Sequence, residues 1–186
     1  MKSELYLSHP DAKFWADFSF VDFTEDYLSS MSESISTALQ SMSELESGAI
    51  ANPDENRMVG HYWLRNPDLA PDIKLTESIR ETLQKVKVVT SAVHSGSLKC
   101  PQGPFTDLLV IGIGGSALGP QFVGKALGCP KSDKLKVHFF DNTDPDGIDH
   151  TLSEIGDSLS STLALVISKS GGTPETRNGM LEAENA

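Results

Sequence analysis

Two glycine-rich runs in the second half of the chain combine the residue types that hold an anion. The first is Gly112-Ile113-Gly114-Gly115-Ser116-Ala117; the second is Ser168-Lys169-Ser170-Gly171-Gly172-Thr173. Glycine lets a backbone turn sharply and approach a ligand without a Cβ clash. A helix that starts directly after such a run directs free N–H groups and the positive end of its dipole at the same point. Ser116 adds a hydroxyl to the first run. The second offers the hydroxyls of Ser168, Ser170 and Thr173, the N–H groups of Gly171 and Gly172, and the cation of Lys169. A phosphomonoester, with three acceptor oxygens, takes several short charge-assisted bonds of this kind. The G-x-x-x-x-G-K-[ST] pattern is absent, so neither run is a P-loop.

Other readings compete for the first run. Gly112, Gly114 and Ala117 fit the dinucleotide fingerprint G-x-G-x-x-A, and Asp141 falls where a ribose-binding acid belongs. On that run alone a nicotinamide-binding Rossmann domain stays open, as does a tight turn with no ligand. The second run favours a phosphomonoester, because a Rossmann domain needs no second cradle. A capped helix would explain Thr173 and Pro174 but not the serines and glycines before them. The acidic run Asp141–Asp149 invites a metal reading, but the twelfth position counted from Asp141 is Leu152 and Pro145 lies inside, so an EF-hand is excluded. A turn with a helix cap is expected there, with Asp141 shaping the site from behind. His9, His61, His94, His138 and His150 have no metal spacing, and His138 is expected to be packed in the fold. Cys100 and Cys129 form neither a disulfide framework nor a metal pair and read as reduced thiols. No metal site is predicted.

Elements must position these runs. Leu108–Ile111, Leu135–Phe140 and Leu163–Ile167 are apolar runs of the kind buried on both faces of a parallel sheet. Helices are predicted over about 117–127, 146–155 and 174–186. The result is an α/β fold, an incomplete βαβαβ with a parallel sheet, over 105–186. Residues 1–104 read as a helical N-terminal segment. Thr24 is a candidate N-cap for a stripe from Leu28 to Leu45 that stops at Gly48, and a second stripe runs from Leu75 to Val93 and stops near Gly96. The stretch 51–71 reads as a loop. Its run Gly60–Arg65 is either anchored by Trp63 or lines a site.

The 186 residues carry 15 basic and 26 acidic side chains, a net charge of −11. That balance argues against a general polyanion binder, so no nucleic-acid partner is expected. No run approaches a membrane span and the start resembles no targeting signal, so no membrane partner is expected.

The motifs resemble those of the glucose-6-phosphate isomerase (phosphoglucose isomerase) family. Val110–Pro120 and Ile167–Thr176 look like its two sugar-phosphate loops. Asp141–Pro145, Gly48–Glu55 and Gly60–Arg65 also fit, the last two with the cyanobacterial and plastid branch. The resemblance covers about residues 14–180. It implies a flavodoxin-like sugar isomerase (SIS) domain, preceded by the helical segment. It implies reversible conversion of glucose 6-phosphate to fructose 6-phosphate in glycolysis and gluconeogenesis, through an enediol and a glutamate base, without metal or organic cofactor. Carried over by position, the substrate binders are Gly115, Ser116, Ser168, Lys169, Ser170, Gly171, Gly172 and Thr173. The family's base, its enediolate-stabilising arginine and its ring-opening residues match no position here, so no catalytic residue is expected in this chain. The closing helix meets no stop signal, and three parallel strands leave open edges. The chain is therefore expected to be an amino-terminal portion that is inactive alone, of a protein that is a homodimer at full length. A cytoplasmic location is expected, with the plastid stroma as alternative. A non-catalytic SIS module that binds sugar phosphate is the runner-up.

Overall fold

The computed structural model describes residues 5–186, apart from the side chain of Glu25. Backbone contacts group the chain into two compact units, one up to Thr82 and one spanning Leu83–Ala186.

The first unit is helical with two small hairpins that its sequence did not announce. Strands β1 (Tyr6–His9) and β2 (Phe14–Asp17) pair antiparallel. A short 3-10 turn joins them, and Lys13 closes it with a φ of 50°. Strands β3 (Ile50–Asn52) and β4 (Arg57–Met58) pair the same way, with Asn56 at φ 49° in the turn. All four strands are short and exposed, so none carries the apolar run that marks a buried strand.

Thr24 does cap a helix: its hydroxyl accepts from the Tyr27 N–H. The stripe beyond it is not one helix but two, α1 (Glu25–Ser30) and α2 (Ser32–Glu46), interrupted at Met31. The hydroxyls of Ser29 and Ser30 donate to the carbonyls of Asp26 and Tyr27. Such local bonds compete with the helical ladder. After α2 comes Gly48, at φ 98°. Trp63 is the anchor of its loop, 3% exposed, with its indole N–H donating to the Glu46 carbonyl at 2.9 Å. A Cβ on Gly60 would lie 2.5 Å from the ring. Helix α3 (Ile73–Ser95) follows the second stripe and ends before Gly96, at φ 73°.

The second unit holds the parallel sheet. Its elements are β5 (Asp107–Ile111), α4 (Gly115–Leu127), β6 (Lys136–Phe140), α5 (Pro145–Ile155), β7 (Thr162–Val166) and α6 (Pro174–Asn185). The strand order is β6-β5-β7, all parallel, with Ile111 in register with both Phe140 and Val166. The three loops therefore leave the sheet at one level. Leu109, Ile111, Phe140 and Ile155 form the core, with Ile148 and Leu152 of α5 and Ala183 of α6 against it. Burying side chains of this size stabilises by about 1.5–3 kcal/mol each. Gly179 lets α6 lie close, since a Cβ there would meet Ile111 at 3.0 Å. The opposite face presents Val110, Val137 and Phe139 to α4.

At the amino ends of the strands lies a buried pair. A ring nitrogen of His138 stands 2.9 Å from the Asp107 carboxylate, and the two residues are 4% and 6% exposed. Burial pushes the Asp107 carboxyl up, but the Thr106 hydroxyl, the His138 ring and the Lys136 charge outweigh it and hold the carboxyl below the ordinary range. His138 is thus packed in the fold, as its place in a strand predicts.

Candidate anion site at the strand ends

Strands β5 and β7 are neighbours, and the two glycine-rich loops leave their adjacent carboxyl ends. The chain crosses from β5 to β6 on one side, then passes back over β5 to β7 on the other. Helix α4 covers one face of the sheet, whereas α5 and α6 pack on the other. Open α/β sheets bind ligands where the strand order reverses in this way, because the flanking helices diverge and leave a crevice. The loops also touch at their roots: the Ile167 N–H donates to the Ile111 carbonyl at 2.8 Å.

The first loop is shaped by backbone demands. A Cβ on Gly112 would stand 2.9 Å from Ser116 Cβ and 3.1 Å from the Ile167 carbonyl oxygen. Gly114 is the N-cap of α4 at φ 55°, ψ −125°, a conformation reserved for glycine, and no side chain caps the helix there. Gly115 is the first helical residue, and its N–H enters no hydrogen bond among the described residues. The Ser116 N–H bonds the Ile113 carbonyl at 3.1 Å, which leaves its hydroxyl as the group available to a ligand.

The second loop is shaped by hydroxyls. Thr173 Oγ1 lies 3.0 Å from Ser168 Oγ and 3.3 Å from Ser170 Oγ. The N–H groups of Gly171 and Gly172, expected to face a ligand, instead donate to Ser168 Oγ at 3.0 Å and Ser170 Oγ at 3.2 Å. A hydroxyl that accepts from an N–H keeps its own proton to donate. The donors are thus chained, amide to hydroxyl, with the hydroxyl protons at the end of the chain. Thr173 occupies the N-cap of α6 with Pro174 at the first helical position, as the sequence predicts, yet its side chain makes no cap bond. Lys169 sits within this loop.

The acidic loop behaves as a turn. The Asp144 N–H donates to Asn142 Oδ1 at 2.8 Å, and Asp144 holds the N-cap position of α5 without a side-chain cap bond. Both carboxylate oxygens of Asp141 are engaged, one by Gln121 at 2.7 Å and one by Asn142 at 3.0 Å. Gln121 belongs to α4, so Asp141 ties that helix to the end of β6. A carboxylate held by two amides is not presented to a ribose, which weakens the dinucleotide reading. Among the described residues, no group of three or more His, Cys, Asp or Glu is placed to hold a metal ion, and no helix is long and apolar enough to cross a membrane.

Two residues join the site that sequence reasoning passed over. Gln121 is one; no spacing rule links it to Asp141. Thr176 is the other. It lies 4% exposed in the first turn of α6, and its hydroxyl has no hydrogen-bond partner among the described residues. Its position three residues after Thr173 was the available signal, since those two stack on one helix face.

Residues 17–186 match the family model described as phosphoglucose isomerase. A glucose-6-phosphate isomerase of Geobacter sp. (strain M21) is 60% identical over 171 residues, 91% of this chain and 32% of that protein. The enzyme of Synechococcus elongatus is 57% identical over 178 residues, 95% and 34% respectively. That of Nostoc punctiforme is 53% identical over 179 residues, 96% and 34%. The chain thus spans about a third of the length of the curated relatives it matches. On a match that runs through both loops and nearly all of the first unit, the chain belongs to the phosphoglucose isomerase family.

Proposed function

We propose that this chain carries the sugar-phosphate cradle of a glucose-6-phosphate isomerase, an enzyme that interconverts glucose 6-phosphate and fructose 6-phosphate. The observation that carries the reading is the convergence of Ser168, Ser170 and Thr173 hydroxyls at the strand end next to Gly115 and Ser116. The strand order, second-first-third, suits the flavodoxin-like SIS domain, which on this reading begins at about residue 105 after the helical segment 1–104.

The phosphate enters the second loop and exchanges the internal hydroxyl–hydroxyl contacts for bonds to its own oxygens. The first turn of α6 and the first turn of α4 add their dipole ends and, from Gly115, a free N–H. Lys169 and Ser116 complete the shell. These groups orient the sugar and fix its reacting carbons in place; none of them moves the proton between C1 and C2. That step belongs to a glutamate supplied outside the positions matched here. The 1–186 chain therefore binds and does not turn over. The full-length enzyme works as a cytoplasmic homodimer without metal or organic cofactor.

Titration of the 15N-labelled chain with fructose 6-phosphate tests the cradle. The amide signals of Gly115, Gly171 and Gly172 are expected to move together and to saturate, and in Thr173→Val to need about ten-fold more ligand to do so. Shifts confined to other residues would sink the assignment, as would saturable NADH binding that glucose 6-phosphate fails to displace. Isomerisation of fructose 6-phosphate by the chain above a blank would overturn the claim that it lacks the base.

A further inference from the structure

The outer edge of β6 carries a surface of opposite character to the rest of the molecule. Between positions 125 and 136 the sequence places Lys125, Lys131, Lys134 and Lys136 against one acid, Asp133, in a chain of net charge −11. Asp133, whose carboxylate accepts from the Cys129 N–H at 2.8 Å and which lines the same groove as three of the lysines, offsets one of these charges and leaves the stretch positive. All four lysines are exposed, and among the described residues none enters an ion pair.

Three of the four, Lys125, Lys134 and Lys136, line a groove of about 770 Å³ between α4 and β6. Val137 and Phe139 form its apolar floor. The strand's backbone also faces this groove. The Lys136 N–H donates to the Thr106 carbonyl and the Phe140 carbonyl accepts from the Gly112 N–H, so the even-numbered residues of β6 point at β5. Alternation then turns the N–H and C=O groups of Val137 and Phe139 outward, to an edge that pairs with no strand in the sheet.

The geometry points to this groove as the docking site of an extended acidic peptide segment from a partner protein. The segment adds beside β6, bonds its backbone to Val137 and Phe139, and sets its carboxylates against Lys125, Lys134 and Lys136. Charge complementarity selects the occupant. Lysines on an open edge repel a second copy of that same edge, so the incoming strand must bring the opposite sign. A nucleic acid would satisfy the lysines but has no backbone N–H for the outward carbonyls, and it would face the acidic remainder of the protein.

The test is fluorescence anisotropy on the 186-residue chain with a fluorescein-labelled peptide of about nine alternating Glu and Val residues. Saturable binding is expected. The pair Lys134→Glu and Lys136→Glu should weaken it about ten-fold, and Lys131→Glu, outside the groove, less than about two-fold. Val137→Pro removes an outward N–H without touching the β5 ladder and should also weaken binding. Far-UV circular dichroism confirms that each variant is folded. Absence of saturation up to about 1 mM peptide would overturn the proposal. So would equal losses from Lys131→Glu and the groove pair, or a single-stranded DNA that binds as tightly as the peptide.

Discussion

The two loops at the ends of β5 and β7 share one plan, strand to glycines to helix, and solve opposite problems. The first places almost no side chain at the crevice. Its glycines answer steric and backbone demands, one through lack of room and one through a left-handed φ. The second also has a glycine at positive φ, Gly171 at 74°, but crowds none of its glycines and concentrates hydroxyls instead. Close approach and donor density are thus divided between neighbouring strand ends. Replacing a glycine of the first loop should register mainly as stability, and removing a hydroxyl from either loop mainly as ligand affinity.

Gly112→Ala is the severest test of that division. Its Cβ would press on Ser116 and on the backbone of Ile167, and overpacking of this kind costs about 3 kcal/mol. Urea unfolding should show the loss; an unchanged midpoint would mean the loops do not meet as described. The pair at the far end of the sheet is the next largest and should act on both loops alike. Asp107 has a depressed carboxyl pKa, so its contribution is present above the ordinary carboxylate range and is lost as pH falls through the folded-state value. Asp107→Asn is expected to cost about 2 kcal/mol at neutral pH and to flatten the acid limb of the stability profile below about pH 4. Equilibrium unfolding across pH 2–7 checks both.

Gly114→Ala comes third. Nothing crowds that Cβ, so the cost is conformational alone, about 1–2 kcal/mol. Thr173→Val inverts the pattern: the thermal midpoint should hold while affinity for fructose 6-phosphate, read by calorimetry, falls about ten-fold with the loss of a hydroxyl bonded to a charged group. The smallest effect belongs to Ser116→Ala, a loss of about three-fold in affinity with little change in stability. If Gly112→Ala or Gly114→Ala weakened binding while leaving stability unchanged, the contrast between the loops would collapse.

Much of this arrangement was legible in the residues. The three apolar runs named the strands to within a residue or two, but only β5 is buried along its length as such a run predicts; Val137 of β6 and Leu165 and Val166 of β7 are exposed, because those strands are the edges of the sheet. The position of the two loops at neighbouring strand ends was legible because glycines and hydroxyls directly follow the apolar runs. What escaped was what local sequence does not encode. The exposed hairpins bury little, so periodicity is silent about them. The break at Met31 leaves the Met31 N–H on the Tyr27 carbonyl and the Ile35 N–H on the Met31 carbonyl, a departure too small for an apolar stripe to show. Gln121 reaches Asp141 only because α4 returns along β6. Thr173 stands at the N-cap position that the sequence predicts, but its hydroxyl faces two serines rather than its own helix.

That last detail makes α6 a helix with an unfinished start. Its N-cap residue makes no side-chain cap bond, and Thr176 one turn in lacks a partner among the described residues. An anion seated at the loop would supply from outside the acceptor that a cap normally supplies from within. By thermodynamic reciprocity, whatever tightens the first turn of α6 must tighten the ligand by the same factor. Amide hydrogen exchange at Glu175 and Thr176 then becomes a gauge of occupancy, readable without any turnover.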